Sequence, residues 1–212
     1  MEILYNDKYI IIVKKDAGIP VQNDKSNDIS IIDMVEQIIN TKAFVITRLD
    51  KPVEGLVLLA KSQDIANKLS EMMKQHKIIK TYMAVVNNKL EGNGKLEHYI
   101  FKNGNKNISK IVNKGNIGAK LAILNYKVIG HYNDLSLVEI NLITGRHHQI
   151  RVQLSHIGYP LYGDTKYNPL FKHKRGVTPA LLAQRLTFNH PITNKEIDIK
   201  LKPSGIFEKD WK

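Results

Sequence analysis

At 212 residues, with 42% hydrophobic and 25% charged side chains, the chain falls in the ordinary globular range and is long enough to bury one substantial core, which excludes a fibrous or disordered protein. Lys and Arg number 32 against 20 Asp and Glu, and the formal charge of +12 makes a polyanion the leading class of partner, nucleic acid before an anionic membrane. The absence of Cys excludes disulfides, thiolate nucleophiles, iron–sulfur clusters and cysteine-based zinc sites, and it suits a reducing cytoplasm.

Residues 3–14 carry β-branched side chains around a polar turn at Asn6, Asp7 and Lys8 and read as two strands or a strand and an edge. Beyond a loop through Gly18 and Pro20, residues 30–40 place Ile31, Val35, Ile38 and Ile39 at helical spacing, with Asn27 or Asp28 as the expected cap. Residues 44–48 read as extended, 50–55 as a turn containing Pro52, and 56–61 as a buried strand, so the turn hangs between two strands. Ser62 caps a helix that sets Ile65, Leu69, Met72 and Met73 on one face and ends in the basic run His76, Lys77 and Lys80. Residues 81–86 return to strand.

Asn, Gly and Lys dominate residues 87–118, where Tyr99, Ile100 and Phe101 form a strand-like nucleus, and the pattern predicts a hairpin flanked by mobile loops. Residues 119–129 and 135–143 alternate around a turn at Asn133 and Asp134, which predicts an antiparallel pair. A helix over 147–157 follows from Ile150, Leu154 and Ile157 on one face, stopped by Gly158 and Pro160, with a polar opposite face. Residues 181–188 and 196–201 supply two last strands around a turn at His190, Pro191, Thr193 and Asn194. No repeat and no Pro-, Gly- or Ser-rich linker divides the chain, so one domain over residues 1–212 is expected. No apolar run approaches the roughly 20 residues that span a bilayer, and the opening residues lack a signal-peptide pattern, which predicts a cytoplasmic protein with no membrane partner.

Three segments set charged groups against predicted buried strands, where desolvation penalises them unless they are paired or used. In Thr47-Arg48-Leu49-Asp50-Lys51-Pro52-Val53-Glu54-Gly55, the carboxylate of Asp50 either projects from its turn as a nucleophile or base, or only accepts hydrogen bonds from that turn. In Lys80-Thr81-Tyr82-Met83-Ala84-Val85, Lys80, Tyr82 and Ala84 share a strand face, so Tyr82 either stacks on a base beside a cation or is plain core. In Thr144-Gly145-Arg146-His147-His148-Gln149-Ile150-Arg151, a glycine turn feeds a helix start that bears arginines, histidines and a glutamine, a concentrated anion-binding patch at the positive end of a helix dipole. His147, His148 and His156 lack the His-x-x-x-His spacing that sets two imidazoles on one helical face, so no metal site is expected. No G-x-S-x-G elbow suggests a serine hydrolase.

In this order, Arg48-Leu49-Asp50 with Gly55-Leu56-Val57-Leu58-Leu59-Ala60-Lys61, Lys80-Thr81-Tyr82-Met83-Ala84-Val85, and Thr144-Gly145-Arg146-His147-His148-Gln149-Ile150-Arg151 resemble the RluA-like family of RNA pseudouridine synthases. Gly163-Asp164 and Phe188-Asn189-His190-Pro191-Ile192-Thr193 are similar to that family's closing segments. The resemblance implies an α+β fold, with a mixed, mostly antiparallel sheet in two lobes and a central cleft. It implies a cofactor-free isomerase of uridines already within ribosomal or transfer RNA, acting as a monomer. Asp50 would be the catalytic aspartate, Tyr82 the tyrosine that packs on the target base, Arg151 the arginine that pairs with the catalytic carboxylate, and Arg48 the arginine beside the flipped nucleotide. Lys80, Arg146, His148 and Gln149 complete the expected RNA-binding set.

The chemistry suits those residue types. A carboxylate that acts on ribose must stay ionised in a mostly closed pocket, and a buried arginine favours that form. A uridine must leave its stack before a side chain reaches its sugar, and an aromatic platform with an inserted cation offsets that cost. Leu56 and Ile150 are expected to line a dry pocket around the detached uracil. The chain departs from the family pattern at Val53-Glu54, where small residues are common, at Thr47, where histidine is common, and at Lys14-Lys15-Asp16-Ala17-Gly18, which lacks a proline. It is expected to begin directly at the catalytic core, without an N-terminal RNA-binding module, leaving target choice to its basic surface and loops such as residues 103–114. A second reading is an RNA-binding protein on the same scaffold with little or no catalysis.

Overall fold

β-Branched runs at residues 10–13 and 56–60 give the strands from which the first half of the fold is built. The computed structural model describes residues 1–23 and 28–212. The fold is α+β, a mixed and mostly antiparallel sheet with few helices, and the chain divides into two compact units. The first comprises Met1–Lys80 and Leu182–Lys202, the second Thr81–Leu181 and Pro203–Lys212.

In the first unit β1 (Glu2–Asn6) pairs antiparallel with β2 (Ile10–Lys15), and β2 pairs antiparallel with β4 (Glu54–Ala60). The free edge of β4 is shared. β3 (Phe44–Val45) runs antiparallel along its end, and β10 (Leu181–Asn189) joins parallel at its start through Leu182↔Glu54 and Ala183↔Gly55. β11 (Glu196–Lys200) returns antiparallel on β10. Ile10, Ile11, Ile12 and Val13 are fully buried, so both faces of β2 are covered. Helix α1 (Ile31–Ile39) packs Ile31 and Val35 onto Ile11, Val13, Val57 and Leu59, each side chain stabilising the fold by about 1.5–3 kcal/mol. Helix α2 (Gln63–Lys74) is capped by Ser62, as its sequence predicts, and buries Ile65, Ala66 and Leu69.

Two expectations for α1 are corrected. Its cap is Ser30, whose hydroxyl accepts from Asp33 N while the Asp33 carboxylate accepts from Ser30 N; Asn27 lies outside the described residues and Asp28 is not the cap. Ile38 faces outward at 53% exposure, because a nine-residue helix presents only Ile31 and Val35 squarely to the strands.

In the second unit β5 (Ile79–Asn87) pairs with β9 (Leu135–Leu142), β9 with β8 (Lys120–Tyr132), β8 with β6 (Asn93–Asn103), and β6 with β7 (Ile108–Val112), all antiparallel. The Asn- and Lys-rich stretch is therefore more strand than its composition predicts, since cross-strand pairs such as Leu96↔Leu124 and Ile100↔Ile111 outweigh weak local propensity. Helix α3 (Gln149–His156) covers this sheet through Val152 against Ile100 and Ala122. Its polar face is buried as well: Gln149, Arg151 and Gln153 are all under 4% exposed. Gln153 Nε2 donates to the carbonyls of Leu96 and Ala122, so the polar face is the one that grips the sheet.

Candidate active site

The loop bearing Asp50 owes its position to the shared edge of β4. Between β10 at one end and β3 at the other, Thr47 takes the ladder bond itself: Leu58 N donates to Thr47 Oγ1 at 2.8 Å, and Thr47 N donates to Leu58 O. The chain then leaves the sheet and returns at Glu54. Asp50 and Glu54 are half-buried and Arg48 is exposed. A turn bond from Val53 N to Asp50 O, 2.9 Å, closes the excursion around Pro52. The return is fixed by Gly55, whose φ is 129° and whose missing Cβ would lie 2.4 Å from Ala183 O.

Beneath this loop lies a residue that motif reading missed. Lys15 is fully buried, and its Nζ donates to Asp16 O at 3.0 Å, Ile19 O at 2.8 Å and Lys51 O at 3.0 Å. Those are all three protons of an ammonium. Gly18 N donates to the same Lys51 carbonyl at 2.8 Å, tying the loop after β2 to the residue that follows Asp50. Burial pulls the Lys15 pKa down to about 8, opposed by the negative charges of Asp50, Asp16 and Glu54. The signal was present in the pattern: two consecutive lysines on a strand covered on both faces put one of them inside.

The second unit holds a denser cluster. Arg151, 2% exposed, makes a bidentate pair with the fully buried Asp164, Nε to Oδ2 and Nη2 to Oδ1 both at 2.8 Å. Asp164 Oδ1 also accepts from Lys166 N and Tyr167 N, and the Arg151 guanidinium sits 5.3 Å from the centre of the Tyr167 ring. Tyr167 Oη accepts from Ser109 N and lies 2.7 Å from His148 Nδ1. His148 is 6% exposed with a left-handed φ of 53°, and burial, with Arg151, His147 and Lys166 nearby, drives its pKa down to about 2. It is thus a neutral imidazole hydrogen-bonded to the Tyr167 hydroxyl. Its ring stacks on that of His147 at 3.7 Å.

Gln149 is committed to the loop that precedes it. Its Oε1 accepts from Arg146 N and Thr144 Oγ1, and its Nε2 donates to Ile123 O. Arg146 is exposed and donates through Nε to Leu121 O. Tyr82, 7% exposed, stands on β5 opposite Ile140. Lys80 is 8% exposed, and burial holds its ammonium below the usual lysine range. Of the expected set, Arg48 and Asp50 therefore share one loop of the first unit. Arg146, His148, Gln149 and Arg151 share one end of α3 in the second. Asp164 and Tyr167, which fix Arg151, carried no assigned role in the sequence reading.

A family model described as RNA pseudouridylate synthase matches residues 9–156. A tRNA pseudouridine synthase C of Haemophilus ducreyi is 30% identical over 100% of this chain and 93% of its own, and one of Pasteurella multocida is 32% identical over 94% and 90%. A ribosomal large subunit pseudouridine synthase C of Buchnera aphidicola is 32% identical over 97% of this chain and 68% of its own. The solved structure of human RNA pseudouridylate synthase domain containing 4 superposes with a TM-score of 0.79 at 23% identity, covering 97% of this chain and 90% of that one, and shows the same fold. The chain belongs to the RNA pseudouridylate synthase family, isomerases that convert uridine to pseudouridine within RNA.

Proposed function

We propose that the protein isomerises uridine in transfer or ribosomal RNA with Asp50 as the catalytic carboxylate, working in the cytoplasm as a monomer and without a cofactor. The observation that carries this reading is the mounting of Asp50: a half-buried carboxylate on a loop anchored by Thr47 at its start, Gly55 at its end and the buried Lys15 ammonium below. Such a group is held in place with a positive charge in its own unit, whose ammonium feels the negative charge of Asp50 in turn. It acts on ribose either by attacking the anomeric carbon or by taking a sugar proton. The bond from C1′ to N1 of uracil breaks with its electron pair on N1, the base turns, C5 bonds to C1′, and the proton on C5 leaves while N1 takes one up.

In this reading Tyr82 packs on the extruded uracil and Arg48, exposed beside Asp50, fills the place that the nucleotide vacates. Arg151, locked by Asp164 and Tyr167, supplies the second positive charge for the catalytic carboxylate. Arg146 and Lys80 meet phosphate. Gln149 and His148 act by shaping the residue 144–149 loop, Gln149 through its bonds to Thr144 and Ile123 and His148 through its bond to Tyr167. Relatives named for transfer RNA and for ribosomal RNA both match nearly the whole chain, so both substrates are tested.

Purified protein incubated with unmodified transfer RNA and 23S ribosomal RNA is expected to form pseudouridine in one of them, read by chemical mapping of modified positions. Asp50→Asn is expected to abolish product while RNA affinity stays within about threefold, because binding rests mainly on phosphate contacts. Product from Asp50→Asn at the wild-type rate would remove Asp50 from the chemistry.

A further inference from the structure

The basic excess is unevenly distributed. Residues 98–133 contain six lysines and neither Asp nor Glu. All six are exposed, and among the described residues none of Lys102, Lys106, Lys110, Lys114 or Lys120 joins an ion pair, whereas Lys127 stands opposite Glu139 across β8 and β9. Uncompensated like charges on one hairpin repel each other, a cost that a bound polyanion removes.

The strands carry a second, independent feature. On β6 the even-numbered Leu96, His98 and Ile100 face α3, so Tyr99 and Phe101 share the opposite face. Both rings are only partly buried. Lys110 lies directly across from Phe101 on β7, with its Nζ 5.8 Å from the centre of that ring. Half-exposed aromatics at alternate positions of one strand, with a lysine beside them, match what unpaired nucleotides require: a π-face for the base and a cation for the phosphate.

We propose that the outer face of β6 and β7, with the loops at both ends of β7, is a second RNA-binding surface that takes unpaired nucleotides outside the target uridine. Bases stack on Tyr99 and Phe101 while Lys110 on that face and Lys106 and Lys114 in the flanking loops meet their phosphates. The inference rests on RNA being the substrate and extends that reading to a surface away from the reacting base.

The test uses the full chain and a labelled single-stranded RNA of about 12 nucleotides, with affinity measured across salt concentrations. Lys106→Gln/Lys110→Gln/Lys114→Gln is expected to lower the slope of log affinity against log salt by about 1.4 to 2.1, at about 0.7 for each of two to three phosphates lost. A charge-matched control at exposed lysines elsewhere, Lys8→Gln/Lys68→Gln/Lys195→Gln, should change it by less than about 0.7. Phe101→Leu keeps the apolar packing and is expected to weaken binding about fivefold at an unchanged slope. Both hairpin variants should retain the wild-type single-turnover rate at saturating RNA. Equal loss of slope in the hairpin and control variants, or an unchanged affinity in Phe101→Leu, would overturn the proposal. Absence of pseudouridine from wild-type reactions would instead overturn the catalytic reading and leave the binding comparison intact.

Discussion

Replacing Gly55 by Ala puts a methyl carbon 2.4 Å from the carbonyl oxygen of Ala183, on a backbone already at φ 129°. Neither β4 nor β10 can yield without breaking their parallel pairing, so Gly55→Ala is expected to destabilise the protein by about 3 kcal/mol or more, read as the urea midpoint. A midpoint within about 0.5 kcal/mol of wild type would mean that the two strands separate easily. Lys15 makes a prediction of two signs. Its folded pKa, about 8, lies below the ordinary 10.5, so the folded state favours the neutral amine; Lys15 therefore opposes stability below pH 8, and that opposition fades as pH rises toward 10.5. Catalysis runs the other way, because Asp50 loses a neighbouring cation over that interval. The single-turnover rate is expected to decline above about pH 8 while the urea midpoint holds or rises, and a rate flat from about pH 7 to about 9 would exclude Lys15 from the site. At this scale Asp50 and Arg151 were picked out as candidates by the ordered motifs. Lys15, Asp164 and Tyr167 were not: the paired lysines of β2 signalled only that one of them is inside, and the bonds that place the three, to Lys51, Arg151 and Ser109, cross 36, 13 and 58 positions of the chain.

Among the elements, α1 shows how local signals compete. Ser30 followed three residues later by Asp33 is a capping box, and it prevails over Asp28 because the Asp33 side chain returns the bond to Ser30 N. Ser30→Ala is expected to cost about 1 kcal/mol in the same denaturation experiment. Helix α3 shows the limit of periodicity. Its apolar stripe was readable, yet Gln149, Arg151 and Gln153 are as buried as Ile150 and Leu154, since the amide nitrogens of the two glutamines donate to carbonyls, and the Arg151 guanidinium to a carboxylate, of other segments. The same environment keeps His148 neutral. Its pKa, about 2 when folded against 6.5 for an ordinary histidine, means that unfolding takes up a proton at any pH between these values. Stability is thus fully present above pH 6.5 and lost as pH falls, at up to about 1.4 kcal/mol per pH unit from this group. His148→Gln should flatten that acid limb even if it lowers stability at pH 7, and an unchanged limb would show that His148 does not bury a neutral ring.

Across the whole molecule, the chain order of the units is what sequence reading missed. Pattern and resemblance both describe a continuous run of motifs, and the family match ends at residue 156. Yet the first unit is completed by Leu182–Lys202 and the second by Pro203–Lys212. Nothing in a period-two or helical pattern signals such returns, because they are decided by which edge or face remains uncovered. The closing segment is a case in point. Phe207 is 6% exposed, Trp211 Cβ sits where a Cβ on Gly130 would come within 2.8 Å, and Lys212 exchanges backbone hydrogen bonds with His131 at 2.6 and 3.0 Å. The Trp211 ring meets Tyr132 edge-on at 6.2 Å. These contacts cover the bulged end of β8, where its register against β9 shifts between Val128 and Gly130. Deleting residues 203–212 should therefore remove about 2–4 kcal/mol, the burial of the Phe207 side chain together with the bonds to His131. At about 2–4 °C per kcal/mol for a chain of this size, calorimetry would read a fall in Tm of roughly 4–16 °C. Amide exchange should quicken in residues 128–132 and stay unchanged in β2 and β4, which belong to the other unit. Gly130→Ala, which pushes on Trp211 without shortening the chain, should move Tm in the same direction by a smaller amount. A deletion variant that melts with the full-length chain would show that the last segment is no part of the second unit's fold.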